Sequence, residues 1–330
     1  MSHAVTLHRD IDELLGDADG RFFGSGYRRT HPALKSLVIT HRADASSARA
    51  SGSLGIAGTW SAKGGVVQLP HLGTTDVIVL GMRLAQALVA SRYAPRAWSK
   101  ATVSSLAIRA GSAPTEEGLG DFECAASLAP TSGGSALVAQ IGSMGLRVEL
   151  LHGPLPLGLA GIEAPDEAAL VGPASARVYG TRWSERRVEV RDVVVDAERV
   201  RASAIVGLGG SPVPADGEGL CFVDQFVAAL QLGQVLLYRL DSLDRASSDT
   251  LWMRSTRFTC TGAPPASPAP LSVQLEGSRL LSKDGGHWRC ADVVGRFGGT
   301  ELRCSVAHRI PSTSSTGRTE EGEAQHDQQP

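Results

Sequence analysis

Neither sign of charge dominates this chain: 32 lysines and arginines face 34 aspartates and glutamates, for a formal net charge of −2. The chain lacks the basic surplus of a nucleic-acid or membrane-surface binder, so neither partner is expected. Cysteine is also sparse. Cys124, Cys221, Cys260, Cys290 and Cys304 are odd in number and scattered, with no C-x-x-C pair, which argues against a disulfide framework or a zinc site. They read as reduced, structural thiols. No G-x-S-x-G elbow, Walker lysine motif or metal-spaced histidine pair is present, and no metal or cofactor is called for. Gly207-Leu208-Gly209-Gly210 resembles a phosphate loop, but Pro212 and Pro214 follow and no helix opens on it.

Long apolar runs are missing as well. Residues Met1 to Gly20 carry Asp10, Asp12, Glu13, Asp17 and Asp19 in place of the apolar stretch of a secretory signal, so a cytoplasmic location is expected. Val77 to Ala90 and Phe222 to Tyr238 are too short, or too broken by Arg83, Asp224, Gln225, Gln231 and Gln234, to span a bilayer.

What is present suits a two-part globular protein. The 330 residues are about twice a typical domain, and the 42% hydrophobic content is ordinary for a soluble fold. Strand-like segments lead into an apolar helical segment in each half. Leu37 to Ile39 and Ser53 to Trp60 precede the helix Asp76 to Ser91, and the strand Thr102 to Arg109 and a hairpin of Ala136 to Ile141 with Leu146 to Leu151 follow it. In the second half, Val188 to Val195 and Val200 to Val206 precede the helix Asp224 to Leu240. The strands Thr250 to Phe258, Leu271 to Leu275, Trp288 to Val294 and Thr300 to Ala307 follow. The expected division is 1–151 for a first half with an N-terminal extension, 152–175 for a Gly/Pro/Ala-rich connection and 176–310 for a second half. Residues 311–330, polar and without large apolar side chains, are expected to be a disordered tail.

The two halves repeat. A shift of 148 residues superposes Asp76 on Asp224, Val79 on Val227, Leu84 on Leu232, Gln86 on Gln234 and Leu88 on Leu236, then Arg109 on Arg257 beyond the helices. Both helices are apolar nearly all round, so each must be covered on most sides. Antiparallel sheet wrapped around one buried helix is the hotdog fold. Two copies make an α+β double hotdog, without the strict alternation of a doubly wound sheet.

In hotdog enzymes an acyl chain runs along the central helix, with its thioester near the helix N-terminus, where free N–H groups can polarise a carbonyl. Asp76 and Asp224, at the two helix starts, are candidate acid–base groups, with His71 just upstream of the first. Each aspartate can equally be a helix cap, and His71 can be an exposed turn residue. Gln86, Gln234 and Gln225 are amides in apolar helices and need partners, either substrate or protein. Arg109 and Arg257 can bind phosphate or carboxylate if they face a pocket, or lie on a solvated strand face.

The segment Asp10-Ile11-Asp12-Glu13-Leu14-Leu15-Gly16, followed by Arg21-Phe22-Phe23-Gly24-Ser25-Gly26-Tyr27, resembles the N-terminal pattern of the bacterial avirulence protein D (AvrD) family. The resemblance runs from about Ile11 to Ile310. It implies synthesis of syringolide-type glycolipid signals, in which a β-ketoacyl thioester, on coenzyme A or an acyl carrier protein, is joined to a ketose such as xylulose and the product cyclises. More distantly, the chain is similar to A-factor synthase hotdogs, which transfer a β-ketoacyl group to a phosphorylated triose on the way to butenolides. The candidate residues rest on helix position and the repeat, not on transfer from the family. A thioesterase or dehydratase and a non-catalytic acyl-binding protein are the alternatives, and a homodimer is left open.

Overall fold

A computed structural model describes residues 5–63, 65–93, 97–155, 162–163, 166–210, 219–248, 250–283 and 285–311. The expected tail, 312–330, and parts of the expected connection lie outside them.

In chain order the elements begin with strand β1 (Val5–Asp10), a one-turn helix α1 (Asp12–Leu15), β2 (Thr30–His41), β3 (Ser46–Ile56) and the short pair β4 (Ala62–Lys63) and β5 (Val66–Val67). The long helix α2 (Thr74–Arg92) follows, then β6 (Thr102–Arg109), β7 (Phe122–Thr131), β8 (Gly134–Ile141) and β9 (Met144–Leu151). The connection holds β10 (Ile162–Glu163) and α3 (Glu167–Val171), and a short turn α4 (Trp183–Glu185) leads to β11 (Arg187–Asp196) and β12 (Arg201–Gly209). The second long helix α5 (Phe222–Leu240), β13 (Trp252–Cys260), β14 (Ala269–Lys283), β15 (Gly286–Phe297) and β16 (Thr300–Ile310) complete the fold.

Among the described residues fourteen strands form one antiparallel sheet in the order β1-β11-β12-β14-β15-β16-β13-β6-β9-β8-β7-β3-β2-β10. The halves join where β6 of the first pairs with β13 of the second. Each half wraps its own long helix, and the two helices touch. The protein is a double hotdog. Alternation along the strands explains the wrapping. In β16, Leu302, Cys304 and Val306 point inward while Arg303, Ser305 and Ala307 point out.

The helices are buried almost throughout: in α2 only Arg83 escapes full burial, and in α5 only Arg239 and Leu240 do. Both span 19 residues, and the 148-residue shift carries Thr74 onto Phe222 and Arg92 onto Leu240, so the repeat holds end to end. By length and composition α2 is apolar enough to cross a membrane, contrary to the sequence expectation that this run is too short, but it is enclosed by the sheet. Helix and sheet approach closely at glycines. A Cβ on Gly233 would lie 2.8 Å from Val293 Cγ1, and one on Gly81 would overlap the Leu146 side chain.

Three local features differ from the sequence reading. The strand expected at Ser53 to Trp60 is β3, which ends at Ile56 because Gly58 turns with φ +71°. Strand β7 carries Cys124 and Ala126 inward, small residues that give little strand signal. Finally, the N-terminal strand β1 pairs with β11 in the second half's part of the sheet, and β10 from the connection pairs with β2.

Candidate active site

Asp76 and Asp224 occupy the same place in their helices, three residues past the N-cap, and both are wholly buried. Asp76 Oδ2 accepts the Gly73 backbone N–H at 2.9 Å, and Asp224 Oδ2 accepts that of Cys221 at 2.8 Å. Each is therefore the acidic half of a capping box. Around them the sites diverge. Asp76 Oδ1 lies 2.7 Å from Thr30 Oγ1, and burial outweighs these hydrogen bonds, raising its pKa to about 6. Asp224 instead forms a buried ion pair with Arg186 Nη2 at 2.7 Å. Arg186 also donates to Gly219 O, and Tyr179 Oη accepts the Phe222 N–H. Beside Asp224, the Cys221 thiol is buried and its pKa is pushed far up, which keeps it protonated.

His71 stands two residues before the α2 N-cap, between two tryptophans. The Trp60 ring meets it edge-on at 4.7 Å between centroids, and the Trp252 ring stacks at 6.2 Å. Burial lowers the imidazole pKa from its ordinary 6.5, against a backbone hydrogen bond at Leu69 and the charge of Glu116, which raise it. At neutral pH the ring is therefore uncharged and can accept a proton.

Two cavities meet at this histidine. An apolar groove of about 390 Å³ runs beside Ala110, Pro114, Met144, Leu281 and Trp288. A second cavity of about 340 Å³ has an aromatic floor of Phe22, Phe23, Trp60 and Phe226 and polar groups from Arg21, Lys63, Gln234 and Arg245. His71, Gly73, Thr74, Leu251, Trp252 and Met253 line both. The α2 N-terminus thus lies in the shared wall. The Trp60 indole N–H, buried beside the second cavity, has no hydrogen-bond partner among the described residues.

Of the residues singled out from sequence, His71 and Gln234 line the polar cavity. Asp76 and Asp224 line neither cavity and bind their own helix caps. Gln86 accepts from Arg177 Nη1 at 2.9 Å, within a network that also ties Arg83 and Arg177 to Glu167. Gln225 donates to Leu220 O, and its Oε1 has no partner among the described residues. Arg109 and Arg257 do not line either cavity at His71; they are exposed on the outer face of the sheet, in a groove that adjoins the apolar one.

Sequence reasoning missed Trp60, Trp252, Lys63 and Arg245 at the cavity. Arg21, Phe22 and Phe23 were in view only as a family pattern. The local reason for that pattern is packing: a Cβ at Gly24 or Gly26 would overlap the backbone of Ala18 or Trp60. The two glycines let the Arg21–Phe23 loop press into the molecule, where Arg21 Nη1 donates to Gln231 Oε1 at 2.8 Å and also pairs with Asp12.

Two hotdog halves in one chain, with cavities meeting at one helix N-terminus, define a double-hotdog protein. The chain belongs to the family described as Pseudomonas avirulence D protein (AvrD), whose family model matches residues 6–311. No curated protein matches it. Among solved structures it is similar to a conserved hot dog fold protein of unknown function from Alicyclobacillus acidocaldarius (9% identity, 83% of this chain and 96% of that one, TM-score 0.42). It is also similar to the dehydratase domain of PpsC from Mycobacterium tuberculosis, in complex with C12:1-CoA (14%, 84% and 97%, TM-score 0.42). A third is the pyran synthase domain from module nine of the sorangicin pathway (12%, 86% and 99%, TM-score 0.41).

Proposed function

We propose that the protein is an enzyme that joins a β-ketoacyl thioester to a hydroxylated acceptor of the ketose class, the syringolide-type condensation implied by its family resemblance. The observation that carries this reading is the junction at His71, where an apolar groove meets a cavity that is aromatic on one side and polar on the other. A thioester enters along the apolar groove. Its acyl group rests on Phe22, Phe23, Trp60 and Phe226, and the acceptor hydroxyls bind Arg21, Lys63, Gln234 and Arg245.

Neutral His71 takes the proton from the acceptor hydroxyl as its oxygen attacks the thioester carbon. The oxyanion that forms faces the N-terminus of α2 at Gly73 and Thr74, whose positive dipole end stabilises it. Collapse expels the thiolate, which recovers the proton from His71. Asp76 and Asp224 act as positioning residues, each tying down the backbone at the start of its helix.

Mass spectrometry of the protein incubated with β-ketooctanoyl thioester and xylulose or its phosphate tests the reading. A sugar–acyl adduct is expected, lost in His71→Ala, with the acid limb of its pH–rate profile lying below the ordinary histidine value of 6.5. Release of free acid without adduct would mark a thioesterase, and no turnover with retained thioester a binding protein.

A further inference from the structure

The outer face of the sheet, which the proposed chemistry does not use, gathers charge at the seam. There Ile108 of β6 faces Thr256 of β13, and the two are equivalents at the 148-residue shift, so the pseudo-twofold axis of the repeat passes through that pair. Arg109 and Arg257, also equivalents, flank the axis on the outer face, opposite Ser255 and Ala107. Arg147, Arg254, Arg279 and Arg303 join them around a groove of about 920 Å³.

Arg257 also faces Arg303 directly across β13 and β16. Like charges in that position destabilise a sheet unless something lies between them. Two of the six arginines are neutralised: Arg303 by Glu276 and Asp292, and Arg147 by Glu149. The side chains of Arg109, Arg254, Arg257 and Arg279 have no acidic partner among the described residues, and Asp292, the one carboxylate lining the groove, is already held by Arg303 and Ser305. Four uncompensated guanidinium groups in a concave site suit the oxygens of a multiply charged phosphate ligand.

The location identifies the ligand class. Ala110, Arg254, Leu281, Cys290 and Ala307 line both this groove and the apolar groove, which in turn reaches His71. Three sites therefore lie in series: cationic, apolar, reactive. An acyl thioester on a pantetheine arm has the same order, with phosphate at one end, a long neutral arm and then the thioester. We propose that the arginine groove binds the phosphate end of that arm while the neutral arm lies in the apolar groove. This rests on the thioester reading of the His71 site. The phosphate belongs either to coenzyme A or to the phosphopantetheine of a carrier protein.

Calorimetric titration of the full chain at low salt with coenzyme A, 4′-phosphopantetheine and pantetheine separates these cases, because none of the three can react. Coenzyme A is expected to bind about tenfold or more tightly than pantetheine, an advantage that shrinks with added salt and is lost in Arg109→Ala/Arg257→Ala. Both side chains are exposed, so the variant is expected to keep its unfolding midpoint, which a thermal melt checks. If phosphopantetheine shares the advantage, the groove holds the phosphate common to both carriers; if only coenzyme A shows it, the groove holds the nucleotide end of the free coenzyme. Equal affinity for all three ligands in the native protein, or an advantage that survives the double substitution, overturns the proposal. A protein that discriminates these ligands but makes no adduct would overturn the condensation and leave the groove standing.

Discussion

Burial raises the Asp76 pKa, and the hydrogen bonds around it show how the protonated carboxyl is accommodated. Thr30 Oγ1 lies 2.9 Å from Tyr27 O as well as 2.7 Å from Asp76 Oδ1, yet a hydroxyl has one hydrogen to give. A protonated Asp76 resolves the conflict by donating to Thr30, which then donates to Tyr27. This agrees with a pKa raised from 3.8 to about 6. A raised carboxyl pKa means that the folded protein binds a proton the unfolded chain releases, so stability falls as pH rises from about 4 to about 6 and stays lower above that. At about 1.4 kcal/mol per pH unit the loss is about 3 kcal/mol. Asp76→Asn mimics the neutral carboxyl, with its oxygen accepting from Gly73 and its amide donating to Thr30. Urea unfolding is expected to show the variant close to native at pH 4 and more stable by about 3 kcal/mol at pH 7.5. A difference that did not change with pH would mean that Asp76 titrates alike in both states.

At the scale of elements, the two helices share a length, a cap and an acidic residue, but their surroundings differ. The carboxyl of α2 is bonded to Thr30 and titrates near 6, whereas that of α5 is locked to Arg186; neither lines the cavities. The helices also depend on contacts that favour glycine. Alanine at Gly233 should improve helix propensity by about 1 kcal/mol, but its methyl would press on Val293, a β-branched residue with little rotamer freedom. Gly233→Ala is therefore expected to destabilise by roughly 1–3 kcal/mol in denaturant titrations, with part recovered by adding Val293→Ala. A stabilised single variant would mean that helix and sheet separate more readily than this contact implies.

For the molecule as a whole, the halves are stitched together by more than the seam. Strand β1 covers the edge of β11, with Val5 opposite Asp196 and Asp10 opposite Arg191. Removing residues 1–10 would bare the hydrogen-bonding edge of β11, and an uncovered edge strand is a template for pairing with another chain. Light scattering is expected to show stronger concentration-dependent association of the truncated protein than of the full chain. A truncation with the same association state and stability as the full chain would show that β11 does not need its cover.

Much of this architecture was legible in the sequence, and the site far less so. All-round apolarity from Asp76 to Ser91, repeated at a shift of 148 from Asp224 to Leu240, requires two covered helices, and the strand-like segments on either side of each supply the cover. Alternation marked most of the strands around them. The same repeat paired Arg109 with Arg257, but only the antiparallel pairing of β6 with β13 brings the two to opposite sides of one axis. Likewise, the sequence placed His71 near a helix start, whereas its tryptophan neighbours and the meeting of two cavities arise from segments as distant as Phe22, Trp60, Phe226 and Trp252. Helix and strand periodicity are local properties of the chain, so the sequence determined them by itself. Which side chains converge on a cavity depends on strand order and register across the whole sheet, and these only the tertiary structure decided.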